Sequence, residues 1–327
     1  MLKKICKSPE IYLIYVPLPN NPLKNLNCYV MKTEAGNLII DTGFNQKECY
    51  TALEIGLQEL NINMDRTTLF LTHLHSDHVG LVNKIRTEKT RIIMGDIDYK
   101  YLLDNFNGEN WSYFDKRYIN EGFPEEELKK QKELNPAVIY EPEKIFEAIT
   151  INDGQSFFIS DYEFECILTS GHTPGHMCLY LKNEKIMFLG DHVLFDITPN
   201  ITAWPHIDNS LADYFESLDK IKKYDIKLAL PAHRNNGIVY DRIEQIKKHH
   251  DERLEDTFNI VKNEKDINAY EVASKLKWSL RAKSWNECPV QQKWFAVGEA
   301  IAHLDYLSEQ KKIVKEKKDN FTVYNVK

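Results

Sequence analysis

The run TTLFLTHLHSDHVG, residues 67–80, decides how this chain is read. Its first half, TTLFLT, is a short apolar stretch of β-branched and aromatic residues, the pattern of a buried strand. Its second half places His73, His75, Asp77 and His78 within six residues. Two histidines two apart on extended chain leaving a strand project their imidazoles the same way and can share one metal ion. Asp77 and His78 fall where the next helix begins and project from a neighbouring direction, which suits a second ion a few ångströms away. The bland alternative is a polar loop in which histidines happen to crowd, and the density of donors argues against it.

Upstream of this run, IYLIYV (11–16), CYVMK (28–32) and NLIID (37–41) read as strands separated by Pro, Asn and Gly turn signals, and a helix is expected from Gln46 to about Leu60. Downstream, RIIMG (91–95) is a further strand, so this half alternates β and α. From about Asn105 to Lys144 the text turns polar and aromatic, with WSYFDKRY and EEELKKQKEL, and reads as a helical insertion. Strands resume at QSFFI, EFECILT, HMCLYLK and KIMFLGD (155–191), a second antiparallel meander. A helix (about 210–223), the strand KLALPAH (227–233) and a long helix (about 240–261) follow. The pattern predicts an α/β fold of two packed sheets with helices outside.

Residues 263–327 read as a separate small unit after a catalytic domain at 1–262. Its order is a short helix (268–276), a longer one (290–310) and a strand pair around Asp319-Asn320, the outline of a winged helix.

Two ions need more ligands than one loop supplies. His172 in SGHTPGHM, Asp191 in FLGDHV and His233 in LPAHR each follow an apolar strand-like run, as His73 does, so all can meet at one edge of the sheets. A carboxylate such as Asp191 can bridge two dications. Among the other histidines, His176 and His192 are assigned first to structural or supporting roles, with substrate contact as the alternative. His249 and His250 are expected to be solvated on the long helix, and His303 to be a packing residue. Arg234, directly after a candidate ligand, is a candidate substrate-anion contact, and Asp41 is expected to brace the metal loop.

The set His73-x-His75-x-Asp77-His78, then His172, Asp191 and His233, resembles the metallo-beta-lactamase superfamily in its binuclear hydrolase form. LIIDTG (38–43) is similar to that family's supporting turn beneath the metal loop. The resemblance spans roughly residues 11–262 and rests on five separated motifs in order. It implies an αβ/βα four-layer sandwich, to which the chain adds the helical, winged-helix-like C-terminal unit. It further implies that His73, His75 and His172 bind one metal, Asp77, His78 and His233 a second, and Asp191 both. Two divalent ions are then the cofactors, with Zn2+ expected and Fe or Mn as alternatives. A hydroxide between the metals would be the nucleophile, and Asp77 or a water would relay a proton to the leaving group, so Asp77 and Asp191 are the candidate catalytic residues.

Composition narrows the substrate. Lys and Arg number 42 against 49 Asp and Glu, a formal charge of −7, so bulk charge does not mark a nucleic-acid-coating protein. Hydrophobic residues at 43% suit a large core, and no apolar run reaches the roughly 18 residues of a membrane span. The basic opening is interrupted by Ser8, Pro9 and Glu10, which does not read as an export signal. Six cysteines without a Cys-x-x-Cys pair read as free thiols, with Cys28, Cys166 and Cys178 in the core, and point to the cytoplasm.

Three functions remain open. One is hydrolysis of an ester, thioester or lactone small molecule, similar to glyoxalase II and the acyl-lactonases. The second is endoribonuclease or phosphodiesterase activity, as in the branch bearing a winged-helix-like domain, for which KKIVKEKK (311–318) supplies a basic stretch. The third is a binding or regulatory protein that keeps metals for stability. The acidic balance ranks the first ahead. In the insertion, Trp111, Tyr113, Phe114 and Tyr118 form either an apolar lid over the cleft, contacting substrate, or a surface hairpin that packs on itself or makes a homodimer contact.

Overall fold

The computed structural model describes residues 2–278 and 284–327. The first sheet runs in sequence order through β1 (Leu2–Cys6), β2 (Glu10–Pro17), β3 (Asn25–Lys32), β4 (Asn37–Ile40), β5 (Thr67–Leu71), β6 (Arg91–Gly95) and β7 (Ile149–Ile151). It is antiparallel as far as β4 and parallel from β4 to β7. The second sheet holds β8 (Ser156–Ile159), β9 (Tyr162–Leu168), β10 (Met177–Leu181), β11 (Ile186–Gly190) and β12 (Leu228–Pro231), with only the last pair parallel. Around them lie α1 (Lys47–Glu59), α2 (Ser76–Val79), α3 (Val82–Ile85), α4 (Asp96–Phe106), α5 (Glu109–Asn120), α6 (Glu125–Leu134), α7 (Pro136–Ile139), α8 (Ser210–Ile221) and α9 (Val239–Asn263). The chain ends in α10 (Ala269–Lys275), α11 (Val290–Glu309) and the hairpin of β13 (Ile313–Lys318) and β14 (Phe321–Val326), the helix, helix, hairpin order expected.

The strand sequences explain the layering. Strands β5, β10 and β11 are buried along their whole length, because each face of each sheet is covered. Between the sheets, Phe70, Phe157 and Phe164 stack in series with centroids 5.8 and 5.4 Å apart. The outer faces meet the helices through a second apolar cluster that includes Leu53, Leu71, Tyr214 and Ile246. The result is helix, sheet, sheet, helix.

This layering brings the ends of β4, β5, β6, β9, β11 and β12 to one rim. Asp41, His73, Asp98, His172, Asp191 and His233 all lie just past those ends. Loops at the carboxyl ends of strands in α/β sheets are the usual place for a site, since backbone there is free of the ladder.

The insertion and the C-terminal elements pack against each other. Tyr118 of α5 stacks on Trp294 of α11 at 5.2 Å with 11° between planes. Arg117 pairs with Asp305 at 2.9 Å, and the Tyr324 hydroxyl donates to Glu121 at 3.0 Å. Helix α11 also covers one face of α9, which corrects the expectation for His250. That residue is fully buried, its Nδ1 3.2 Å from Nε2 of the buried packing residue His303. Ile243, Ile246, His250, Leu254, Thr257 and Val261 form the buried stripe of α9 at helical spacing.

Candidate metal centre

The HxHxDH loop leaves β5 in extended form and enters α2 directly, with His75 at the N-cap position. His73 Nε2 and His172 Nε2 each lie 3.0 Å from His75 Nδ1, so three ring nitrogens face one point. Ligands around a tetrahedral zinc, with Zn–N near 2.0–2.1 Å, stand about 3.3 Å apart, close to this spacing. Beside this triplet lies a second. His233 Nε2 is 3.3 Å from both Asp77 Oδ2 and Asp191 Oδ1, and His78 Nε2 is 3.7 Å from each of the same oxygens. Asp191 reaches both groups, its other oxygen lying 3.6 Å from His172 Nε2.

Four atoms in the second group, Asp77 Oδ2, His78 Nε2, Asp191 Oδ1 and His233 Nε2, are buried without a hydrogen-bond partner. Buried polar atoms in folded proteins are nearly always paired. Four orphans converging on one point fit a cation, and the all-nitrogen triplet beside them fits another.

The ring nitrogens on the far side of the candidate ligands are held. His78 Nδ1 donates to Asp41 Oδ2 at 2.8 Å, His233 Nδ1 to the Asn25 carbonyl at 2.7 Å and His172 Nδ1 to the Asn200 carbonyl at 2.9 Å. Such bonds fix the tautomer and aim the other nitrogen at the centre. Asp41 also accepts from the Thr72 amide and hydroxyl, at 2.9 and 2.8 Å, so it ties the DTG turn to the metal loop. Asp41 adopts a left-handed backbone, φ 60°.

Electrostatics divide the two groups. Burial and the neighbouring His172 push His75 down to about 3, so it stays neutral and free to ligate. Burial opposes a charge on His233 too, yet the carboxylates of Asp191 and Asp77 raise it well above the ordinary histidine value. The same two carboxylates and Asp41 raise His78.

Other candidates are placed elsewhere. His176 is fully buried; its Nδ1 meets Thr169 Oγ1 at 2.8 Å and its Nε2 accepts the Asp191 amide at 3.0 Å, so it supports Asp191 and does not meet substrate. Gly190 makes room for that ring, since a Cβ there would sit 2.5 Å from His176 Nε2. The Arg234 guanidinium is engaged by the Pro22 carbonyl and does not line the cleft. Tyr118 is 0% exposed, its hydroxyl 3.3 Å from the Trp294 carbonyl, which removes it as a substrate contact. Tyr113 packs on His206 at 5.2 Å, outside the cleft lining. Trp111 packs on Trp294 and, with His75, borders a small neighbouring cavity of about 50 Å³. Of the readings left open for the α5 aromatics, the lid over the cleft is excluded, since Trp111, Phe114 and Tyr118 turn inward against α11. The insertion lines the cleft with Asn135, Pro136 and Ala137, and the aromatic wall comes from Trp294 and Phe295.

Two supports are not among the residues singled out from the sequence, although the first follows a strand as the other donors do. Asp98, fully buried, accepts from the Leu74 amide at 3.0 Å, from Thr173 Oγ1 at 2.7 Å and from the Gly175 amide, joining the HxHxDH loop to the His172 loop. Burial pushes its carboxyl up to about 6. Asn200 is the second.

Paired sheets carrying two facing sets of His and Asp donors at their strand ends define a metallo-hydrolase scaffold. The chain belongs to the metallo-beta-lactamase superfamily, whose profile matches residues 22–233, and residues 287–326 match the metallo-beta-lactamase-like C-terminal domain. It is similar to the probable metallo-hydrolase YqjP of Bacillus subtilis, 25% identical over 96% of this chain and 97% of that one. An atrochrysone carboxyl ACP thioesterase of Emericella nidulans is 27% identical over 69% of this chain and 56% of its own length. Among solved structures, a metallo-beta-lactamase family protein from Thermus thermophilus superposes with TM-score 0.78 at 25% identity, covering 97% of this chain and 98% of that one. A Burkholderia ambifaria beta-lactamase domain protein shares the fold at TM-score 0.83 and 21% identity, over 100% of this chain and 94% of its own.

Proposed function

We propose that the chain is a binuclear metal-dependent hydrolase acting on an ester, thioester or lactone with an apolar acyl part. The observation that carries this reading is the cavity of about 340 Å³ over the metal centre. His75, Asp77, His172 and Asp191 line one end, and Leu23, Phe44, Pro136, Leu194, Ile197 and Phe295 line much of the rest. No Lys or Arg lines it among the described residues. A phosphodiester needs cationic partners for its charge, whereas an acyl group needs apolar contact. In the basic stretch of the C-terminal hairpin, Lys315 pairs with Asp305 at 2.8 Å and Lys318 with Asp266 at 2.5 Å, while Lys311, Lys312 and Lys317 are exposed. A relative named a thioesterase supports the acyl reading.

In this proposal His73, His75 and His172 hold one ion, Asp77, His78 and His233 the other, and Asp191 both. Zinc is the proposed metal, given nitrogen-rich donor sets of borderline softness. When bound, such ions supply a hydroxide nucleophile near neutral pH, because coordination lowers the pKa of water from about 15.7 to about 7. Asp191 draws the two sets together through its two oxygens. Asp77, which lines the cavity, would take up the proton released as the water attacks and relay it to the leaving group. Phe295 and Trp294 keep water from the acyl side. All six cysteines are free, which suits a reducing cytoplasm.

The test is a substrate panel with zinc-loaded protein: thioesters, esters and lactones of graded acyl length against short single-stranded RNA. Cleavage of acyl substrates with a preference for apolar chains is expected. Cleavage of RNA alone overturns the proposal.

A further inference from the structure

His172 is gripped at two points by one loop. Its Nδ1 donates to the Asn200 carbonyl at 2.9 Å, and Trp204 Nε1 donates to the His172 carbonyl at 3.0 Å. That loop is in turn fastened to α11. Asn200 Nδ2 donates to Glu299 Oε2 at 3.0 Å and approaches the Phe295 carbonyl at 3.4 Å. Gly298 permits the close approach, because a Cβ there would run into Thr202 Oγ1 and the Tyr118 hydroxyl. Glu299 is itself buried, 9% exposed, and its bond to the partly exposed Asn200 lies at the edge of the cavity.

We propose that Glu299 is a positioning residue for the metal centre. By anchoring the Asn200 side chain it sets the place of the Asn200 carbonyl, which holds the His172 proton on Nδ1 and the ring plane at the angle that presents Nε2 to the ion. The C-terminal helix thereby tunes a ligand that lies 127 positions earlier in the chain, from His172 to Glu299. This inference rests on the reading of His172 as a ligand.

The test is zinc affinity of the full chain, measured by chelator competition without any substrate. Glu299→Ala is expected to weaken binding about 10- to 100-fold, the usual effect of losing such a support. Glu299→Gln, whose amide oxygen still accepts from Asn200, is expected to bind close to wild type. Asn200→Ala keeps its main-chain carbonyl, so it carries the test by itself if Glu299→Ala fails to fold. The double variant is expected to lose no more than the worse single one. In nitrogen-15 histidine spectra the His172 Nδ1–H signal is expected to broaden or shift in both alanine variants. Wild-type zinc affinity in Glu299→Ala, or fully additive losses in the double variant, overturns the inference alone. A wild-type chain that binds no zinc overturns the ligand reading with it.

Discussion

Asp41 Oδ2 lies 2.8 Å from His78 Nδ1 and 2.8 Å from Thr72 Oγ1, so one buried carboxylate orients a candidate ligand and the strand end from which the metal loop departs. Replacing Asp41 by Ala frees the His78 ring and leaves the Thr72 amide unpaired. Zinc affinity of the second donor set is expected to fall about 10- to 100-fold. Chelator competition measures it, and an unchanged constant refutes the orienting role.

Among the described residues, Asp191 is the one carboxylate within reach of both donor sets. Asp191→Ala is expected to abolish turnover and to reduce bound zinc from two ions to one or fewer, counted by elemental analysis. Retention of two ions with near-normal rates would falsify the binuclear arrangement.

Metal binding should release protons. Burial opposes charge on His233 and His78, yet Asp191 and Asp77 raise both above the ordinary histidine value in the metal-free chain, His233 well above it, and Asp41 adds to the rise of His78, so a cation must displace protons held more tightly than usual. Lowering the pH strengthens proton competition and weakens the metal. Calorimetry in buffers of different ionisation enthalpy is expected to show proton release near neutrality and falling zinc affinity toward acid. Zero release there excludes protonated His233.

Phe295 is 41% exposed and lines the apolar side of the cavity. Phe295→Ala widens that side, and the ratio of kcat/KM for long over short acyl substrates is expected to change about tenfold, the scale of one or two buried methylenes. Equal rates at every chain length before and after the change mean the acyl part does not sit there.

Tyr118 gives a contrasting case. Tyr118→Phe removes long hydrogen bonds inside a closed aromatic cluster, so a loss of about 0.5–1.5 kcal/mol in denaturant unfolding is expected, with KM unchanged. A KM shift without a stability loss would place the hydroxyl against substrate after all.

Much of the fold is legible in the sequence because the strands are short apolar runs bounded by turn residues and the donors sit directly after them. Strand β1 is hidden because Lys3 and Lys4 interrupt it, and β7 because three residues carry almost no pattern. The donor sets are legible because the chemistry requires those residue types at those spacings. Asp98 is within reach of the same logic, as an acid soon after the strand RIIMG, much as Asp41 and Asp191 follow theirs. Asn200, Glu299 and Phe295 are not, since each acts through contacts between segments far apart in the chain. The inward turn of the α5 aromatics is hidden for the same reason: their partner, Trp294, lies 176 positions after Tyr118.

The stack of Tyr118 on Trp294 ties one wall of the cleft, residues 294–295, to the insertion helix α5. The facing wall, residues 135–137, is fastened instead to the HxHxDH loop, where Ser76 Oγ donates to the Ala137 carbonyl at 2.7 Å. Substrate range in related chains should thus be inherited together with the α5–α11 seam, and a graft that transfers the 294–295 wall without its α5 partner should misfit at that seam before it changes what the cleft accepts.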